Sequence, residues 1–377
     1  PRDLRNPAAG MRATRVTRGS GAAARLAVVA FFLLCPLAFF STIALTKSPL
    51  FAFAFTWWFG LLYELYMTRG QRARRVTVVG LVVSSCVMLV SAKYAWYIIG
   101  AQVVLSILAD RRWATYVVAL LLPTVVIHGG IALLISSGKV IEGDPIESRG
   151  AQLQMIARVA AKDPEAIPES AKEKLAPIFN LDQMAAAYKS SDADPVKSSG
   201  IQSKKVSYRW RTVTPEDMEG LTQAWVEIVK ADPLTALDAF MAKSYGYFDV
   251  CDEPYVAASY YISNDYVQSS STWIKYYDHD WRDAIVGFTD GWGRIPVLGW
   301  VTHGNFYVTL TLLIGAAELV LRRWRALSWH MPLLLLMGVM LTAPANNFER
   351  HMLPIAFVFG FLCVMFHRDT VRFRDKI

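Results

Sequence analysis

Cysteine is scarce where it would count: of the four in the chain, Cys35, Cys86 and Cys363 fall within apolar runs and only Cys251 lies in polar sequence. A disulfide inside the polar region is therefore excluded. Charge is also thin, at 19% Asp, Glu, Lys and Arg, where a soluble domain carries about 25%. Such a chain cannot clothe a large water-facing surface. There is no P-loop, no dinucleotide fingerprint, no nucleophile elbow around a serine and no zincin helix. ATP-driven and dinucleotide chemistry are excluded with them. The net charge of +8 is not gathered into a stripe with interleaved aromatics, and no RNP-like or zinc-finger spacing exists, so nucleic acid is not a partner.

What is present is apolar sequence in blocks close to the roughly 17–25 residues that cross a bilayer core. The blocks are Leu26–Leu45, Leu50–Met67, Val76–Val90, Ala95–Leu108, Trp113–Ile135, Phe306–Leu321, Met331–Leu341 and Pro354–Phe366. The composition, 54% hydrophobic with 12 Trp, fits that segregation. The expected fold is an all-α polytopic membrane protein of about eight transmembrane helices, with a mainly helical extracytoplasmic domain between helices 5 and 6. The first block follows arginines as a secretory signal would, but it outruns a signal core and no small-x-small cleavage site follows it.

Charge orients the helices. With the start inside, Arg69, Arg72, Arg74, Arg75, Arg111, Arg112, Arg322, Arg323, Arg325, Arg368, Arg372, Arg374 and Lys376 all fall in the cytoplasm. The short outer loops keep only Lys47, Lys93 and Arg350. Both ends are thus expected in the cytoplasm, with the chain a multi-pass protein of the plasma membrane. The organisation reads as a basic cytoplasmic segment (1–25), a five-helix region (26–138), a soluble domain (139–300), a three-helix region (301–366) and a basic tail (367–377). The chain opens at Pro1, with Met11 as a second start, and an upstream portion is expected.

Inside the soluble region, Leu153, Ile156 and Ala160 predict a helix over 146–161, with Pro164 and Pro168 after it. Thr214-Pro215-Glu216-Asp217 announces a second helix, with Met218, Leu221, Trp225 and Ile228 on one face, and Asp232-Pro233 a third. Residues 190–205 read as loop.

Four constellations could carry chemistry. Glu147, Gln154 and Arg158 share a predicted helix face that either contacts phosphate or sugar or is a solvated face. Asp192, Asp194, Pro195 and Lys197 form either a turn or a binding loop, turn chemistry being the default. The aromatic and acidic tract holds Tyr245, Tyr247, Asp249, Asp252, Glu253, Tyr260, Tyr261, Asp265, Trp273, Tyr276, Tyr277, Asp278, His279, Asp280 and Trp281. It suits carbohydrate stacking and interfacial anchoring equally. Its Asp278-His279-Asp280 run lacks an upstream His partner, so neither a metal nor another cofactor is called for. Last, Ala343 to His351 sets Asn346, Asn347, Glu349, Arg350 and His351 at the membrane edge, where Arg350 could neutralise a lipid-linked phosphate.

Several of these motifs carry a resemblance. Ser91-Ala92-Lys93-Tyr94 and Asp110-Arg111-Arg112 resemble the middle of GT-C-type membrane glycosyltransferases. Glu147 to Val159, Asp194 to Lys197, Trp225, Ser244 to Tyr247 and Arg350 to Pro354 are similar to an uncharacterised branch associated with Gram-positive surface-polysaccharide genes, although His351 replaces its usual aromatic. The resemblance implies sugar transfer outside the cell from a polyprenyl-phosphate donor, with an acid of the first outer loop as base. Thr46 to Pro49, the first outer loop in the chain, holds no such acid. The partners expected are the bilayer and a lipid-linked sugar or glycan, with Glu147, Gln154, Arg158, Asp194, Lys197, Tyr245, Tyr247, Glu349 and Arg350 as substrate contacts. Two further classes stay open: a transporter or flippase for a lipid-linked glycan, and a non-catalytic scaffold. The first needs polar residues along the spans, where only Glu64 and His128 stand out.

Overall fold

The computed structural model of the protein describes residues 22–43, 47–141, 143, 145–200, 218–252, 279–324, 326–344 and 348–374. The described residues are helical, without a β-sheet; a lone bridge joins Lys189 and Asp192. The chain divides into two compact units, one from 1–125, 253–333 and 349–377, the other from 126–252 and 334–348.

The first unit holds the apolar helices. They are α1 (Ala22–Leu34), α2 (Pro36–Ile43), α3 (Lys47–Met67), α4 (Arg75–Ser91), α5 (Ala95–Ala109) and the start of α6 (Trp113–Ser136). Beyond the soluble region follow α13 (His279–Gly293), α14 (Gly304–Val320), the start of α15 (Leu327–Thr342) and α16 (Leu353–Arg374). Three helices, Lys47–Met67, Trp113–Ser136 and Leu353–Thr370, are long and apolar enough to cross a membrane, or four if the bent α1–α2 pair is one span. Arg75–Ser91, Ala95–Ala109, Gly304–Val320 and Trp329–Thr342 are apolar but shorter.

The single first span expected over Leu26–Leu45 is instead bent by 63° between α1 and α2. Pro36 is the cause: its ring removes an N–H and clashes with the preceding turn. Pro123 acts similarly in α6, where a wide π turn at Val117–Leu121 precedes it.

Helix α3 is the spine of this unit. Its Phe55, Trp58, Phe59 and Tyr63 are fully buried, and Phe361 of α16 meets Phe59 and Tyr63 edge-on at 5.9 and 5.5 Å. Gly80 lets α4 approach closely, since a Cβ there would lie 2.8 Å from Leu61 Cδ1. The outer faces are apolar: Leu108, Val125, Leu133 and Val320 are exposed, and only 17% of the most apolar stretch of α6 is buried. Water disfavours so continuous an apolar exterior, whereas lipid accepts it.

The second unit has its own core. It is built from α7 (Gly150–Lys162), α8 (Glu169–Leu175), α9 (Leu181–Ala187), α10 (Asp194–Lys197), α11 (Glu219–Ala231) and α12 (Pro233–Ser244). Helix α7 is central, burying Leu153, Ile156, Val159 and Ala160 against Leu175, Phe179, Met184, Leu221 and Ile228. Two helix starts are capped by side chains: Asn180 accepts from Gln183 N–H at 3.1 Å, a start not read from the sequence, and Asp232 accepts from Thr235 N–H at 3.1 Å, ahead of Pro233, as the sequence suggests. Thr214 to Asp217 lie outside the described residues, but Met218, Leu221 and Ile228 are buried as their spacing predicts.

Candidate functional site

Glu147 does not share a helix face with Gln154 and Arg158. It sits on a 3-10 turn, Pro145–Ser148, and α7 begins only at Gly150. Gln154 is wholly buried, its Nε2 donating to Lys189 O at 2.6 Å, so it ties a loop to α7. Arg158 donates to Asp238 at 3.2 Å and lies 5.2 Å over the Tyr188 ring. Burial raises the Tyr188 phenol and Asp238 adds to the rise, while Arg158 opposes it.

The structure does unite Glu147 with the acidic loop. Lys197, nearly buried, donates from Nζ to Glu147 Oε2 at 2.9 Å and to Asp194 Oδ1 at 2.6 Å. Burial alone would lower the amine, but the hydrogen bonds to Asp194 and Glu147 outweigh it and hold its pKa above the usual lysine value. This amine is therefore a committed cation and not a nucleophile. Asp192 accepts from Asp194 N–H at 3.0 Å, the turn chemistry expected by default.

Tyr247 is buried, while Tyr245 is exposed and donates to Asp252 at 3.4 Å. Glu253, Tyr260, Tyr261, Asp265, Trp273, Tyr276, Tyr277 and Asp278 lie outside the described residues. Among the described residues no group of three or more His, Cys, Asp or Glu could hold a metal.

The last loop departs from the exposed edge expected of it. Ala345, Asn346 and Asn347 fall outside the described residues, and Glu349 to His351 form a 3-10 turn ahead of α16. Glu349 is only 4% exposed and His351 is also buried, whereas Arg350 faces outward. The Glu349 carboxyl accepts from the backbone N–H of Gly304, the first residue of α14. A side chain at 304 is impossible without movement, because a Cβ would lie 2.6 Å from Met352 Cβ and 2.8 Å from Glu349 Oε1.

Burial pushes this carboxyl up to about 8, with the Gly304 N–H opposing the rise. At neutral pH it is mostly uncharged. The same corner holds Tyr307, whose hydroxyl donates to Val301 O at 2.6 Å, and Cys35, whose thiol donates to the same carbonyl at 3.3 Å. Tyr94 faces Arg350 closely enough that the guanidinium opposes the larger upward push of burial on its phenol. The neutral carboxyl at 349 thus brings no anion against the exposed Arg350 guanidinium beside it in sequence.

One buried ion was not foreseen. Lys243 of α12, 1% exposed, donates from Nζ to Leu341 O at 3.2 Å and Pro344 O at 3.0 Å. These carbonyls lie at and just past the end of α15, where helical partners run out and a cation is favoured. Burial pulls the amine down to about 8. The signal was present in the spacing, since Lys243 follows Ala236 and Ala239 on the buried face of α12.

A sequence family described as "Family of unknown function (DUF6020)" matches residues 8–376. No curated protein and no solved structure matches.

Proposed function

Given that the chain belongs to the DUF6020 family of unknown function, we propose that it is a glycosyltransferase-like integral membrane protein of bacterial cell-envelope polysaccharide assembly, engaging a polyprenyl-phosphate-linked sugar at the outer membrane face. In this reading the eight apolar segments are eight spans, the helical unit between the fifth and sixth is extracytoplasmic, and both termini are cytoplasmic. The arginine distribution supports that orientation, and it puts the Glu349–Arg350 turn at the outer edge.

The observation that carries the reading is that turn. Arg350 is exposed, and its neighbour Glu349 is buried and mostly protonated at neutral pH, so the adjacent acid does not cancel the guanidinium. An outward guanidinium at the level of lipid headgroups is suited to the phosphate of a lipid-linked donor. Glu349 is the positioning residue, tying the turn to the first residue of α14. Glu147, Asp194, Lys197 and Tyr245 remain as hydroxyl contacts for the glycan, with Lys197 fixing the two acids.

The test is equilibrium binding of a polyprenyl-phosphate-linked sugar to the purified full-length protein in micelles, coupled to analysis of surface polysaccharide after gene deletion. Arg350→Ala is expected to weaken binding roughly 10- to 100-fold, the worth of a charge-assisted contact. Absence of binding together with unaltered polysaccharide would overturn the proposal.

A further inference from the structure

Helix α13 and the turn after it present apolar side chains to the outside immediately ahead of α14. At about 100° per residue Trp281, Ile285, Phe288 and Trp292 fall within about 60° of arc, and Asp280, Asp283 and Asp290 lie on the other half of the helix surface. Trp281 and Phe288 are 68% and 70% exposed. Asp280 and Asp283 are exposed as well, so the helix shows one apolar edge and one acidic edge.

The turn continues the apolar edge. Ile295, Pro296, Val297 and Leu298 are all exposed, and they stand on a closed neck. The Gly299 N–H donates to Ile295 O at 2.7 Å and the Trp292 indole N–H to Leu298 O at 3.1 Å, while Gly299 lies against the Gly293 carbonyl where no side chain fits. Val297 is held at φ 66°, a left-handed conformation that a β-branched residue adopts only under constraint. Glycine or asparagine would fill this position without strain, so an exposed valine there calls for an apolar surrounding.

We infer that α13 and the turn at 295–298 form an in-plane anchor in the headgroup and upper acyl layer of the bilayer, on the side where α14 begins. The inference rests on the proposed reading of α14 as a span. Three observations select lipid. The apolar edge leads through the turn into α14, whose Leu312 and Leu313 are exposed in their turn. With three Asp among its 15 residues α13 is no span, yet its rise of about 22 Å lets it lie along a surface with the acids toward water. Indole and phenyl rings are the side chains that settle at headgroup level. A carbohydrate would need hydroxyl acceptors beside those rings, and the carboxylates of α13 stand on the other half of the helix.

The experiment uses the full chain in phosphatidylcholine nanodiscs with a trace of photoactivatable phosphatidylcholine, its diazirine placed either near the ester or at the chain end. Labelled residues are located by mass spectrometry, and hydroxyl-radical footprinting of the same discs reports water access to the rings. The near-ester probe is expected to label Trp281, Phe288 and Leu298 well above the chain-end probe, with the two rings shielded from radicals. Leu313 is the control, because a span places it deep in the hydrocarbon, within reach of the chain-end probe. Phe288→Asp is expected to cut the label at Trp281 roughly tenfold and to leave Leu313 unchanged. Val297→Asn relieves the left-handed strain, so it serves if Phe288→Asp fails to fold, and it should lower the label at Leu298 several-fold. Label at Leu313 without label on the rings overturns the anchor alone, whereas loss of label at Leu313 overturns the span reading and the in-plane placement with it. Rings open to radicals, rings labelled better from the chain end, rings shielded from lipid probe and radical alike by a glycan or a second copy, or variants labelled as the parent is, each overturn the anchor.

Discussion

Glu349→Gln tests how the corner at Gly304 is held together. The amide keeps an oxygen for the Gly304 N–H but cannot ionise, so the substitution isolates the charge. In the folded protein the carboxyl stands at about 8, against 4.5 for an ordinary glutamate. Below about pH 4.5 the carboxyl is protonated in both states and the raised pKa contributes fully. As the pH rises toward 8 the unfolded chain gives up its proton and the folded chain does not, so folding stability falls; above 8 the fall levels off. At 1.36 kcal/mol per pH unit the loss is on the order of 5 kcal/mol, the group being almost wholly buried. Thermal unfolding in micelles, followed by intrinsic tryptophan fluorescence between pH 5 and pH 9, measures it directly. Near pH 5 parent and variant should melt together, and near pH 8.5 the variant should melt higher by roughly 5 °C. A difference in midpoint that stays constant across that range would refute the reasoning. So would a parent that gains on the variant as pH rises, since that would mean an ionised carboxylate held by the Gly304 N–H.

Lys243 should show the opposite slope. Its folded-state pKa of about 8 lies below the ordinary 10.5, so the parent gains stability as pH rises from 8 to 10.5; Lys243→Met should remove that gain in the same melting assay. Gly304→Ala forces a Cβ against Met352 and the Glu349 carboxyl, and should cost about 2–4 kcal/mol, read as a lowered midpoint at every pH. Arg112→Ala uncaps the end of α3 and leaves Asp110 without its cation, so a loss of about 1–3 kcal/mol is expected; Asp110→Asn on that background should recover part of it.

Apolar blocks and helix starts were legible because they depend on local rules. Asp232-Pro233 opens α12, and the apolar spacing of Met218, Leu221 and Ile228 places the buried face of α11. The bend at Pro36 was missed, because a continuous apolar run over Leu26–Leu45 reads as one span. The candidate site was less accessible, because burial is a property of the fold. Glu349 reads as an exposed acid in a polar loop until α14 is known to begin against it. Likewise Gln154 and Arg158, four residues apart, serve different partners, one a loop carbonyl and the other Asp238.

The short apolar helices set a length scale for the surroundings as well as for the protein. The 15 residues of α5 rise about 22 Å, against a hydrocarbon layer of about 30 Å. On the eight-span reading proposed above, a bilayer has to compress around such helices, and it resists in proportion to acyl-chain length. The annulus of lipid thereby becomes a mechanical partner: membranes of shorter-chain lipid should relieve the compression, and thicker ones should load it onto the bend at Pro36 and the wide turn of α6.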